Sequence, residues 1–86
     1  MGDETQYVYL KLVDQYSNEI RFRVKQTWQM GKLKKSYSEK VGVPVSSLRL
    51  LFDGRRINDD ETPKALEMEQ DDVIEVYQKQ TGGDGQ

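Results

Sequence analysis

The sequence predicts an α+β fold in which one mixed β-sheet wraps over one main helix. Three observations carry that prediction. Apolar and polar residues alternate with a period of two in YVYLKLVD (residues 7–14), EIRFRVK (19–25) and DVIEVYQ (72–78), the pattern of half-buried strands. From Met30 the spacing changes, and Met30, Leu33, Tyr37 and Val41 recur at steps of three or four while lysines fill the other face, as in an amphipathic helix. The resulting order of strand, strand, helix, strand, strand, short helical turn and strand suits two packed layers around one core.

Each element has its own local reason. In the first strand Val8, Leu10 and Leu12 alternate with Tyr7, Tyr9 and Lys11. The turn-rich DQYSN joins it to the second strand, where Ile20, Phe22 and Val24 alternate with Arg21, Arg23 and Lys25, so the two make a hairpin. Gly42 fits the stop that follows a helix, with Pro44 just beyond. SLRLLF (47–52) reads as a third strand, Asp53-Gly54 as a two-residue hairpin turn and RRIN (55–58) as a short fourth strand. In ETPKAL (61–66), Thr62 suits an N-cap and Pro63 the first helical position, which predicts a single helical turn. The domain is expected over 7–78, with a short flexible arm at 1–6 and a flexible tail at 79–86.

Composition narrows the function. A chain of 86 residues makes one domain and buries only about 60% of its unfolded surface, which leaves little room for a deep pocket. It has no cysteine and no histidine, so disulfides, thiolate nucleophiles, Cys-based metal sites and the commonest general base are all excluded. A non-enzyme with no cofactor and no metal is expected. No apolar run approaches the roughly 20 residues that span a bilayer, and MGDETQ lacks the marks of a signal peptide. Nucleus and cytoplasm are the expected compartments, and a monomer the expected state. Paired acids such as Asp71-Asp72 have neither the cleft of a glycosidase nor the spacing of an EF-hand.

Net charge is −2, but residues 21–40 hold seven Lys or Arg against one acid, whereas 53–76 hold nine acids against three bases. The molecule is bipolar. A basic stripe without an aromatic stacking series argues against nucleic acid as the main partner and for an acidic one.

KLKKSY, SLRLLFDGRRI, TPKALEME, DDVIEVYQ and QTGG follow one another in order, and together they resemble the small ubiquitin-like modifier (SUMO) family over residues 7–83. That resemblance implies a ubiquitin-like β-grasp fold with five strands in a mixed sheet on one main helix. It also implies a protein modifier that is processed after Gly83 by a SUMO-specific cysteine protease. A SUMO activating enzyme then adenylates the freed carboxylate with ATP and Mg²⁺, the acyl group passes through a SUMO conjugating enzyme, and SUMO ligases help to deliver it to substrate lysines. Glycine at Gly82 and Gly83 suits this chemistry, since without side chains the tail can thread a narrow enzyme channel. The alternative is a ubiquitin-like interaction domain that is never conjugated.

The resemblance implies two further surfaces. Proteins with SUMO-interacting motifs would add a strand along the second-strand edge, in a groove lined by Ile20, Phe22, Val24 and Leu33 and surrounded by Arg21, Arg23, Lys25, Lys32 and Lys40. A buried Val or Ile contributes roughly 1.5–3 kcal/mol and an exposed ion pair about 0.2–1 kcal/mol, so apolar anchors set affinity and charge sets direction. A dissociation constant on the order of micromolar follows. Acids at Asp53, Glu67, Glu69, Asp71 and Asp72 cluster in the later loops, and Phe52, Asp53, Gly54 and Asp72 are the positions implied to meet the conjugating enzyme. Trp28, Gly31 and Ser38 depart from the family pattern, and no apolar-Lys-x-Glu acceptor tetrapeptide is present. A glycine inside a helix costs up to about 1 kcal/mol relative to alanine.

Overall fold

The structure is a computed structural model and describes residues 6–79. The sequence expectations for Gly82, Gly83 and most of the two terminal segments lie outside those residues. The elements are β1 (Tyr7–Asp14), β2 (Glu19–Lys25), α1 (Met30–Val41), a short 3₁₀ turn (Val45–Ser47), β3 (Leu48–Phe52), β4 (Arg55–Arg56) and β5 (Asp72–Gln78). The five strands form one sheet in the order β2-β1-β5-β3-β4. β1 and β5 run parallel at its centre, and every other pairing is antiparallel. This is the mixed-sheet β-grasp arrangement that the sequence predicts.

The alternation seen in the sequence becomes a division of faces. Register pairs Val8 with Val24, Leu10 with Phe22 and Leu12 with Ile20, and on the other central partner Leu12 with Ile74. Val8, Leu10, Leu12, Val24, Ile74 and Val76 turn to the helix and join Met30, Leu33, Tyr37, Leu48, Leu50, Ile57 and Met68 in one buried cluster. Leu10, Leu12 and Ile74 have no measurable exposure.

The hairpin between β1 and β2 is tied by Asp14. Its Oδ1 accepts the backbone N–H groups of Tyr16 and Asn18 at 2.8 and 2.9 Å, and its Oδ2 accepts Asn18 Nδ2–H at 3.1 Å. Burial pushes the Asp14 carboxyl up, but these bonds from Asn18 and Tyr16 outweigh it and hold it below its ordinary value of 3.8.

At the start of α1, Gln29 offers no side-chain cap. Instead Met30 and Gly31 donate their N–H groups to the backbone carbonyls of Glu61 and Asp59 at 2.7 and 2.8 Å. That docking explains Gly31: a Cβ there would lie 3.1 Å from Asp59 Cβ and 3.4 Å from its carbonyl oxygen. At the other end Gly42 adopts φ 78° and donates to Ser38 O, as the sequence predicts for a helix stop.

Two expectations for this half are corrected. Val41 is 39% exposed and leaves the core, whereas Ser38 is buried with its hydroxyl donating to Lys35 O at 2.7 Å. β4 covers Arg55–Arg56 rather than all of RRIN: Ile57, buried in the core, still donates its backbone N–H to Leu50 O at 2.8 Å, but Asn58 N–H turns away to Glu61 Oε1 at 2.7 Å.

Asp53 and Gly54 have φ of 55° and 76°, the two positive angles that a type I′ hairpin requires. Downstream, Thr62 Oγ1 accepts Ala65 N–H at 3.1 Å and Thr62 O accepts Leu66 N–H at 3.0 Å, so the expected single turn forms there. Pro63 is fully buried, and Glu67 at φ 55° closes the turn.

Candidate functional site: the β2 edge and its flanks

Among the described residues β2 pairs with β1 alone and forms a seven-residue sheet edge beside α1. An edge of this kind offers unpaired N–H and C=O groups to an extended peptide. The sequence-expected groove residues separate into three sets. Ile20 and Phe22 are half-buried on the helix side, with the Phe22 ring tilted against Tyr37 at a centroid distance of 6.2 Å. Val24 and Leu33 are 2% and 1% exposed. They belong to the core, so of these four apolar residues only Ile20 and Phe22 expose surface.

The basic residues occupy the flanks. Strand alternation sends Arg21, Arg23 and Lys25 to the sheet face that points away from α1. There the Arg21 guanidinium stacks 4.3 Å above the Tyr9 ring and that of Arg23 4.5 Å above Tyr7, while Arg21 also pairs with Asp71 at 3.0 Å. Lys32 and Lys40 are exposed on α1. Sequence reasoning named the arginines but missed their stacking; the signal was available, since Tyr7 and Tyr9 alternate outward opposite Lys25 and Arg23 in a hairpin. It also missed the Lys32 ammonium 4.6 Å from the Trp28 ring centroid, a contact that depends on the corner between β2 and α1.

The acidic positions lie beyond the sheet centre. Asp53 and Gly54 form the exposed tip of the β3–β4 hairpin, and Phe52 packs partly against the core just before it. Asp72 starts β5, and its Oδ2 accepts the Glu69 N–H at 2.7 Å, which ties this carboxylate into the loop. Asp71, at φ 67°, donates its N–H to Tyr9 O at 2.7 Å. β5 therefore separates two ends of the molecule. The acids gather where it begins, and where it finishes Lys79 donates to Ser47 O at 2.7 Å, just before the Gly82-Gly83 segment.

Among the described residues no group of three or more His, Cys, Asp or Glu side chains could hold a metal, and no helix is long and apolar enough to cross a membrane. What the β2 edge offers is a strand edge, two half-buried apolar side chains and flanking cations.

The sequence profile of the Ubiquitin-2 like Rad60 SUMO-like family matches residues 8–78, which takes in all five strands and the helix apart from Tyr7. The chain is also 66% identical over 82 residues to the small ubiquitin-related modifier of Caenorhabditis elegans, an alignment that covers 95% of this chain and 90% of that protein. With the β-grasp sheet, its open second-strand edge and these matches together, the chain belongs to the SUMO-like family of ubiquitin-like proteins.

Proposed function

We infer that the chain is a SUMO-type protein modifier, a non-enzymatic polypeptide that is attached to other proteins and then read by them. Its near full-length relation to a small ubiquitin-related modifier is the observation that carries this reading. Conjugation would run through Gly83. A protease first hydrolyses the Gly83–Asp84 peptide bond, because a carboxyl held in an amide cannot be activated. The free carboxylate is a poor electrophile, so an activating enzyme joins it to AMP from ATP with release of pyrophosphate. A cysteine thiolate displaces AMP to give a thioester, the acyl group moves to the conjugating enzyme, and a substrate lysine amine displaces that thiolate to form the isopeptide.

In this scheme the Phe52, Asp53, Gly54 and Asp72 side meets the conjugating enzyme. The β2 groove receives extended apolar peptides with acidic flanks, with Ile20 and Phe22 as contacts and the Lys and Arg side chains as guides. The modifier acts in nucleus and cytoplasm.

The test is charging. Protein trimmed to end at Gly83 is expected to form a thioester with the SUMO activating enzyme and ATP, the untrimmed chain none, and Gly83→Ala far less than the trimmed protein. Equal charging of all three overturns the reading.

A further inference from the structure

Trp28 is the chain's one tryptophan, and it sits at the corner between β2 and α1. Its backbone N–H donates to Lys25 O at 3.0 Å, its half-buried side chain packs against the core, and the Lys32 ammonium lies 4.6 Å from its ring centroid. Helical geometry fixes which way Lys32 faces. Successive residues of α1 turn by about 100°, so Lys32 and Lys34 flank the buried Leu33 on opposite sides. Lys34 pairs with Asp59 at 2.9 Å in a concavity shared with β3 and β4. Lys32 accordingly lies on the flank toward β2.

The cations flanking the β2 edge are unequal. Near the hairpin end Lys11 meets Glu19 at 4.0 Å and Arg21 meets Asp71 at 3.0 Å. At the corner end, among the described residues, Arg23, Lys25 and Lys32 have no carboxylate within ion-pair distance. Lysine is a flexible point charge that loses rotamer freedom when it binds, and an indole face that attracts the ammonium removes part of that freedom beforehand.

We propose that Trp28 is a positioning residue that holds Lys32 as a fixed cationic end to the groove. A peptide lying along β2 is thereby selected for acidic side chains where it passes the β2–α1 corner. This rests on the groove reading above and adds to it a specificity device that the Trp28–Lys32 contact supplies.

The experiment compares a Val/Ile-rich peptide carrying an aspartate run on one flank with its counterpart bearing serines there, titrated by calorimetry. Wild-type protein is expected to prefer the aspartate peptide. Trp28→Leu, which keeps apolar bulk but has no π-face, should lower that preference about two- to fivefold and leave the serine peptide's affinity unchanged. Trp28→Phe should restore part of it. Lys32→Ala, an exposed change that spares the core, should remove the same preference, and adding Trp28→Leu should then cost no more. Indole fluorescence, excited at the red edge where the five tyrosines do not absorb and so reporting on Trp28 alone, should shift further with the aspartate peptide than with the serine peptide. A full preference retained in Trp28→Leu, or equal weakening of both peptides, overturns the proposal. If neither peptide binds wild-type protein, the groove reading falls and the proposal with it.

Discussion

The sheet ends in two hairpins of opposite design. β1 and β2 are eight and seven residues long and joined by residues 15–18, and they leave a full-length edge. β3 and β4 are five and two residues long and meet at the Asp53-Gly54 tip, so the other edge strand is very short. Bare edges invite unwanted pairing, which proteins suppress by shortening the strand or charging it. This molecule does one at each side. β4 removes most of its edge, while β2 keeps its length and places Arg21, Arg23 and Lys25 on its outer face. Under the proposed function, a long edge guarded by cations would repel indiscriminate strands yet stay open to an acidic one.

The largest test of that contrast separates core from rim on the long edge. Leu33→Ala should cost about 2–5 kcal/mol, read as a lower urea midpoint, because a buried leucine leaves a cavity. In a domain of ordinary stability, about 5–15 kcal/mol, that is a large share of the total. Phe22→Ala, at the half-buried rim, should instead weaken an apolar acidic-flanked peptide about tenfold, or ~1.4 kcal/mol, with a smaller fall in stability. If Phe22→Ala leaves the peptide's affinity unchanged, the long edge is not a docking site and the contrast between edges loses its functional meaning.

The short edge supplies the counterpart. Gly54 sits at φ 76° with no atom of the described residues within 4 Å of an added Cβ, so Gly54→Ala meets backbone strain and no clash with them. It should cost about 1 kcal/mol in a urea melt and leave peptide binding at β2 untouched. A binding change would mean that the two hairpins are coupled through β1 and β5.

Strict periodicity made most of this architecture legible. β1, β2 and β5 begin and end where alternation does, and α1 stops at Gly42 because no other signal competes there. Legibility failed where tertiary contacts decide. Val41 continues the apolar helical spacing but is the last helical residue and stays 39% exposed at the rim of a concavity it shares with Leu48 and Val76. Ser38 looks like a surface residue, yet it satisfies its hydroxyl on Lys35 O and can be buried. Gly31 reads as a weak helix residue until Asp59 is found 3.1 Å from where its Cβ would stand. For the candidate site, alternation along β2 separated apolar from basic residues correctly. It could not tell that Val24 and Leu33 are buried while Ile20 and Phe22 keep some exposure, since depth has no linear signature.

The smallest effect concerns the turn that holds the long edge in place. Asp14 is held below its ordinary 3.8 by hydrogen bonds from Asn18 and Tyr16 that outweigh burial. A depressed carboxyl stabilises the folded state above its unfolded pKa, and the contribution is lost as pH falls through the folded one. Asp14→Ala should therefore be less stable than wild type at neutral pH, and the gap between their urea midpoints should close as pH drops below 3.8. The other carboxylates titrate in both proteins, so the difference isolates this turn. Tyr37 provides an internal check. Burial raises its pKa first and the Asp14 charge second, so the variant should show a Tyr37 titration moved partway down yet still above the ordinary 10.0. A gap that stays constant through acid pH would show that Asp14 acts by shape alone. An unmoved Tyr37 would show that the turn carrying β2 and the helix beside it do not share charge.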